Sequence, residues 1–320
     1  MQLIDIHTLL QAELLASDQL IRQRAALHLD MVNLLTNHVA SAGGKRLRPI
    51  MLLLIAKAFN YQGNDHITLA SATELIHTAS LLHDDVVDES TLRRGQKTAN
   101  EIWGNAASVL VGDFLYSRAF ELAVSLRNHD ITQAIASATH QVAQGEIIQL
   151  MHRRNFQTTI EDYLQIITCK TGKLFEVAAH LGALLAAPSY ADAACTYGLN
   201  VGIAFQMMDD ILDYQGHVEQ IGKNIGDDLN EGNLTLPLLY ILQSKHTAHI
   251  ECVKNAIHTP DPTQIAALQQ AIIASGAREY AEQLAKHYAE RARQALADFP
   301  RNIYTEALES IIDFAVMRSY

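Results

Sequence analysis

Residues 191–214 read ADAACTYGLNVGIAFQMMDDILDY. Apolar residues recur there at the three- and four-residue intervals of a helix face, with little of the β-branched alternation that marks a strand. The spans 105–127, 132–152 and 161–187 have the same character, and the chain has only six prolines and 16 glycines to interrupt them. The pattern predicts an all-α protein, one domain over residues 1–320, with roughly ten or more helices. Breaks are expected at SAGGKRLRP (41–49), around Arg93-Arg94-Gly95, at APSY (187–190), between 214 and 233, and at HTPDPTQ (258–264). None is long or biased enough to be an interdomain linker.

The opening segment closes on Asp209, Asp210 and Asp213, and the same DDxxD spacing occurs in LLHDDVVDES (81–90) as Asp84, Asp85 and Asp88. On a helix, residues i and i+4 share a face, so Asp84 with Asp88, and Asp209 with Asp213, each aim two carboxylates one way. Like charges so placed destabilise an isolated helix by about 0.2–0.5 kcal/mol. A cation relieves the repulsion, and hard ions such as Mg2+ favour carboxylate oxygens completed by water and substrate phosphates. A single such pattern is ordinary surface charge. Two copies, each adjoining an apolar stretch (TASLL and AFQMM), point to a cleft.

The rest of the composition narrows the class. With 49% hydrophobic and 18% charged residues the chain can bury a large core. A formal net charge of −11 argues against a nucleic-acid-binding surface. The N-terminal MQLIDIHTLLQAELLA lacks the basic flank and cleavage site of a signal peptide, and the best apolar run, PIMLLLIAKAF, is interrupted by Lys57. Cys169, Cys195 and Cys252 are widely spaced and form no CxxC pattern. A cytoplasmic protein without a transmembrane segment is expected.

Basic residues complete the constellation. GGKRLRP places Lys45, Arg46 and Arg48 in a glycine-opened loop before Pro49, a residue suited to a first helical turn. Cations beside helix N-termini suit a diphosphate, which arginine binds through paired hydrogen bonds. Arg93 and Arg94 follow the first acidic motif. His77 lies two helical turns before Asp84, so His77, Leu81, Asp84 and Asp88 form one stripe. There is no GxSxG elbow, no HExxH zinc site and no Walker A loop.

Taken together, GGKRLRP, LLHDDVVDES with RRG, GNAASVLVGDFLYSRAF, CKTGKLFE, FQMMDDILDY, GKNIGDDLNEG and TLPLL resemble the trans-polyprenyl diphosphate synthases, from about residue 35 to at least 240. The resemblance is nearest to the bacterial enzymes that make the octaprenyl side chain of ubiquinone. It implies the isoprenoid synthase type of fold, helices around a central cavity with the two motifs facing across it. It further implies that Lys45, Arg48, His77 and Arg94 hold isopentenyl diphosphate, while Arg93, Lys170 and Lys223 contact an allylic diphosphate such as farnesyl diphosphate. Asp84, Asp88 and Asp209 would bind about three Mg2+, or Mn2+ in their place. Thr171, Gln206 and nearby helix carbonyls would stabilise the allylic cation formed when the diphosphate departs. A homodimer is implied, with a peripheral membrane encounter for product release.

One position departs from the family, which has lysine where this chain has Asn233. Asn233→Lys is therefore expected to improve turnover or allylic-substrate binding. Chain length is expected to depend on the small residues Ala79 and Ser80, one turn below Asp84, and on Phe120 and Ala123 as the floor of a tunnel past Ile76, giving a product of about 40 carbons on a helix-length argument. Nonaprenyl or geranylgeranyl products are the nearest alternatives. A terpene cyclase would replace the second DDxxD with an Asn/Ser/Glu motif, a non-catalytic subunit would lose an acidic motif, and a purely structural helical protein leaves both motifs unexplained.

Overall fold

The computed structural model describes residues 1–25, 30–41, 43–214, 226–259 and 261–317. Lys223 lies outside them. The chain begins with α1 (Leu3–Leu9), α2 (Gln11–Ala25), α3 (Asp30–Ser41), α4 (Leu47–Ala58) and α5 (Asp65–Val87). A short antiparallel hairpin, β1 (Leu92–Arg93) with β2 (Gln96–Lys97), turns at the predicted Arg94-Gly95 break. Then come α6 (Ala99–Trp103), α7 (Asn105–Ser125), α8 (His129–His152), α9 (Ile160–Ile167), α10 (Lys173–Ala186) and α11 (Ala191–Leu212). The chain closes with α12 (Asp227–Glu231), α13 (Leu236–Leu242), α14 (Thr247–His258), α15 (Pro262–Ser275), α16 (Ala277–Ala295) and α17 (Ile303–Val316).

α4 is buried on every side, with Ile50 through Ala56 each 0% exposed, which is why its sequence is apolar all round rather than in a stripe. It packs against α5 and α10, and α5 packs in turn on α7. A second apolar cluster gathers the C-terminal half of α11 with α13, α15 and α16. α11 therefore belongs to both clusters, and its position is fixed from two sides.

Its contact with α10 is unusually close because Gly198 and Gly202 fall one turn apart on the facing side. A Cβ at Gly198 would lie 2.5 Å from the Phe175 carbonyl oxygen, and one at Gly202 would lie 2.9 Å from the Gly172 Cα. These distances leave no room for a side chain. The small residues thus set the depth at which the second acidic motif, seven residues further along α11, meets the end of α10.

The 161–187 span is not one regular α-helix as the periodicity predicts. Thr168–Gly172 forms a π-helical turn between α9 and α10. Such turns cost regular hydrogen bonding and recur where a chain must aim side chains at a site.

Candidate active site

The first acidic motif sits at the C-terminal end of α5, with Asp84 and Asp85 in its last turn and Asp88 as its C-cap. Carboxylates there oppose the helix dipole, so each needs a cation. Arg93 Nε donates to Asp85 Oδ1 at 2.7 Å, Arg153 pairs with Asp88, and Lys170 Nζ stands 4.0 Å from Asp84 Oδ2. Asp85 is 3% exposed and consumes part of Arg93, which the resemblance assigned to substrate. Lys170 is anchored by Glu146 Oε2 and Gln149 Oε1, each at 2.8 Å. Burial would lower the Lys170 pKa, but Asp84 and Glu146 outweigh it and raise the value, keeping the ammonium charged. Burial, reinforced by Asp88, raises Asp84 against the pull of Lys170, and burial with Asp84 pushes Glu146 up to about 7.

Lys170 and Thr171 reach this position because the π turn lies directly against α8 at Gly145. A Cβ there would be 2.8 Å from both the Cys169 Cβ and the Lys170 backbone nitrogen. Gly145→Ala is therefore expected to push the turn outward and lower kcat about 10- to 100-fold, since a displacement of order 1 Å can cost that much. Steady-state kinetics beside a thermal melt checks this, because the lesion should reduce turnover far more than helix content.

The next residue faces the other motif. Thr171 Oγ1 donates to Gln206 Oε1 at 2.7 Å, Gln206 Nε2 donates to Asp210 Oδ1 at 2.8 Å, and Tyr163 OH donates to Asp210 Oδ2 at 2.6 Å. The Gln206 amide oxygen, which the resemblance assigned to the allylic cation, accepts the Thr171 proton and keeps a second lone pair. The Thr171 oxygen, in a residue 8% exposed, has its proton committed to Gln206 and its lone pairs uncommitted. Asp210 is buried and Asp209 is not fully so, which separates a structural from a presented carboxylate within one motif.

Basic groups converge from the 43–46 loop and the hairpin. The Arg94 guanidinium lies against Gly44, where a Cβ would come within 3.0 Å of Nη1. The Arg48 guanidinium sits 4.5 Å over the Phe175 ring and senses Glu74, Asp209 and Arg94, its pKa lowered by burial to about 10. His77 is held well below its ordinary pKa by burial and by Arg48, Arg94 and Arg93, so the ring is neutral. Its Nδ1 is buried without a hydrogen-bond partner in the protein. Lys45 is exposed, with Nζ 5.0 Å from the centre of the Phe314 ring. Asn233 is 8% exposed and donates to Glu231 Oε2 at 2.7 Å.

Below the first motif a cavity of about 810 Å3 runs between α5, α7 and α8, lined by Asp84, Ser80, Tyr116, Phe120, Val142 and Glu146 among others. Ser80 and Phe120 line it as expected. Ala79, Ile76 and Ala123 do not; they are 0%, 2% and 0% exposed within the core. Ala79 packs into the core beside Ser80, which lines the cavity.

Four residues of the site escaped the sequence reading: Glu74, Glu146, Gln149 and Arg153. Glu74 carried a signal, since it lies one turn before His77 on the stripe already identified, and it is buried beside Arg46, Arg48 and Arg94. Glu146 and Gln149 sit one turn apart on α8, beyond any spacing that links them to the motifs.

Among the described residues no group of three or more His, Cys, Asp or Glu side chains forms a ready-made metal cage. The donor set nonetheless fits Mg2+, which takes one or two carboxylates and completes its shell with water and phosphate oxygens. The chain matches the polyprenyl synthetase family over residues 30–274. It belongs to that family. Among family relatives it is 42% identical over 293 residues to octaprenyl diphosphate synthase of Escherichia coli (strain K12), covering 91% of each chain. It is also 42% identical to the geranyl-diphosphate-specific all-trans-nonaprenyl-diphosphate synthase of Rhodobacter capsulatus, covering 95% of this chain and 94% of that one. The polyprenyl synthase of Caulobacter crescentus, solved with calcium and isoprenyl diphosphate, superposes with a TM-score of 0.95 at 41% identity, covering 100% of this chain and 98% of that chain.

Proposed function

We propose that the chain is a long-chain trans-polyprenyl diphosphate synthase, a prenyltransferase that lengthens an allylic diphosphate such as farnesyl diphosphate by successive isopentenyl units. The product would be about 40 carbons long and serve as a quinone side chain. The observation that carries this reading is that consecutive residues serve the two acidic motifs, Lys170 facing Asp84, which lines the cavity, and Thr171 linked to Asp210 through Gln206.

When bound by Asp84, Asp88 and Asp209, about three Mg2+ would supply Lewis-acid stabilisation to the departing diphosphate. Lys170 adds a charge pre-positioned by Glu146 and Gln149. Lys45, Arg48, Arg94 and the neutral His77 would hold the second diphosphate, and the His77 ring contributes a hydrogen bond without further charge. Ionisation leaves an allylic cation, which the double bond of isopentenyl diphosphate attacks; loss of a proton then gives a chain five carbons longer. The lone pairs of Thr171 and of the Gln206 amide oxygen would stabilise that cation without trapping it. No covalent protein intermediate is required.

The whole chain acts as one domain, and as a homodimer in the cytoplasm. α7 and α8 leave Leu110, Val124, Ile147 and Met151 at least 56% exposed beside the open flank of the cavity, an apolar face that a second copy would cover. Among the described residues no helix is long and apolar enough to cross a membrane. Incubation with farnesyl diphosphate, isopentenyl diphosphate and Mg2+, followed by sizing of the product, tests the reading. A ladder ending near 40 carbons supports it; a cyclised hydrocarbon, or no product, overturns it.

A further inference from the structure

Three cations pair with the first acidic motif, and they differ in how firmly each is held. Arg93 is locked on the buried Asp85, and Lys170 is locked between Glu146 and Gln149. Arg153 is different. Its Nη2 donates to Asp88 Oδ1 and its Nη1 donates to the Val87 carbonyl at 3.3 Å, while its Nε is buried with no partner in the protein.

The counter-ion of Arg153 is thus a carboxylate placed above among the metal-binding oxygens. If Asp88 turned to a divalent ion, the attraction it offers the guanidinium would fall, and a second anion could take its place. The metal-bound diphosphate is the only anion that arrives with the ion. An Arg fork matches two phosphate oxygens.

The backbone keeps Arg153 at this corner. Arg154, the next residue, has φ of 53° and its N–H donates to the Gly232 carbonyl at 2.8 Å. A left-handed non-glycine residue persists only where its surroundings hold it. Here Gly232 does so, since a Cβ on it would lie 2.6 Å from the Arg154 Cγ. That hydrogen bond joins the segment carrying Arg153 to the one carrying Asn233. Asn233 brings no charge to the corner, and its amide nitrogen already donates to Glu231.

We propose that Arg153 is a diphosphate-binding residue, parked on Asp88 in the metal-free protein and transferred to the allylic diphosphate when metal binds, supplying the positive charge that Asn233 lacks. The proposal rests on the function proposed above and assigns a role to a residue outside the motifs. It also replaces the expectation for Asn233→Lys, which by itself should change little while Arg153 is present.

Calorimetric titration of inorganic pyrophosphate in excess Mg2+ into the full chain is the test. R153Q is expected to weaken binding at least tenfold, R153K to retain most of it, and the R153Q/N233K double variant to recover a large part of the loss. Circular dichroism and melting of each variant report folding, and R153K covers the case in which R153Q fails to fold. Unchanged or tighter binding by R153Q would overturn the proposal, the latter meaning that Arg153 only competes with metal for Asp88. Failure of N233K to restore binding would overturn the compensation. Wild-type protein that neither binds pyrophosphate with Mg2+ nor elongates a primer would sink the proposed function itself, whereas wild-type binding with an indifferent R153Q sinks only Arg153.

Discussion

Asp84→Ala and Asp209→Ala are each expected to lower kcat by about three orders of magnitude or more. Metal-assisted departure of a diphosphate contributes several kcal/mol of transition-state stabilisation, and about 1.36 kcal/mol corresponds to a factor of ten. The fold should be untouched. Asp84 lies in the last turn of α5, where a carboxylate opposes the helix dipole, so its removal should leave the melting temperature unchanged or slightly raised. Lys170 keeps Glu146 and Gln149 after Asp84 is lost. Kinetics with and without EDTA, beside circular dichroism, provide the measurement. Near-normal turnover of both variants, insensitive to EDTA, would remove these residues from the metal site.

Ser80→Phe is expected to shorten the product to about 15–20 carbons without abolishing condensation. Ser80 lines the cavity one turn below Asp84, a rise of about 6 Å. Its hydroxyl donates back to the His77 carbonyl at 2.8 Å, so the side chain hugs its own helix and leaves the passage open. A phenyl ring there would project across the cavity toward Tyr116 and Phe120 on α7. The groups that bind both diphosphates remain, so the first condensations proceed and later ones lack space. Chromatographic sizing of products decides the matter. A full-length product from this variant would show that the growing chain does not pass Ser80.

The acidic motifs could be placed from sequence because the i, i+4 rule needs only local geometry, and both do lie on helices with apolar flanks. The same rule reached His77 and would have reached Glu74, one turn earlier on that stripe. It did not help at Ala79, where small size suggested a role and the residue is packed in the core. Glu146, Gln149 and Arg153 were not legible, because their meaning comes from α8 meeting α5 and the π turn across long sequence separations. Gly145 shows the difficulty well: alone it reads as a weak helix residue, and only contact with Lys170 explains it. The π turn was hidden for a related reason, since apolar periodicity continues on both sides of it.

That continuity has a consequence of its own. Ile160, Tyr163 and Ile167 before the turn, and Leu174, Phe175 and Ala178 after it, are all buried. A residue added to an ordinary helix rotates everything downstream by about 100°; a wider turn absorbs the addition locally. α9 and α10 can therefore keep their grip on the core while the segment between them bulges toward the substrates. Chemistry and architecture meet at this point: Lys170 and Thr171 carry the side chains that serve the two motifs, while glycines on α8 and α11 let the neighbouring helices close on the turn from two sides.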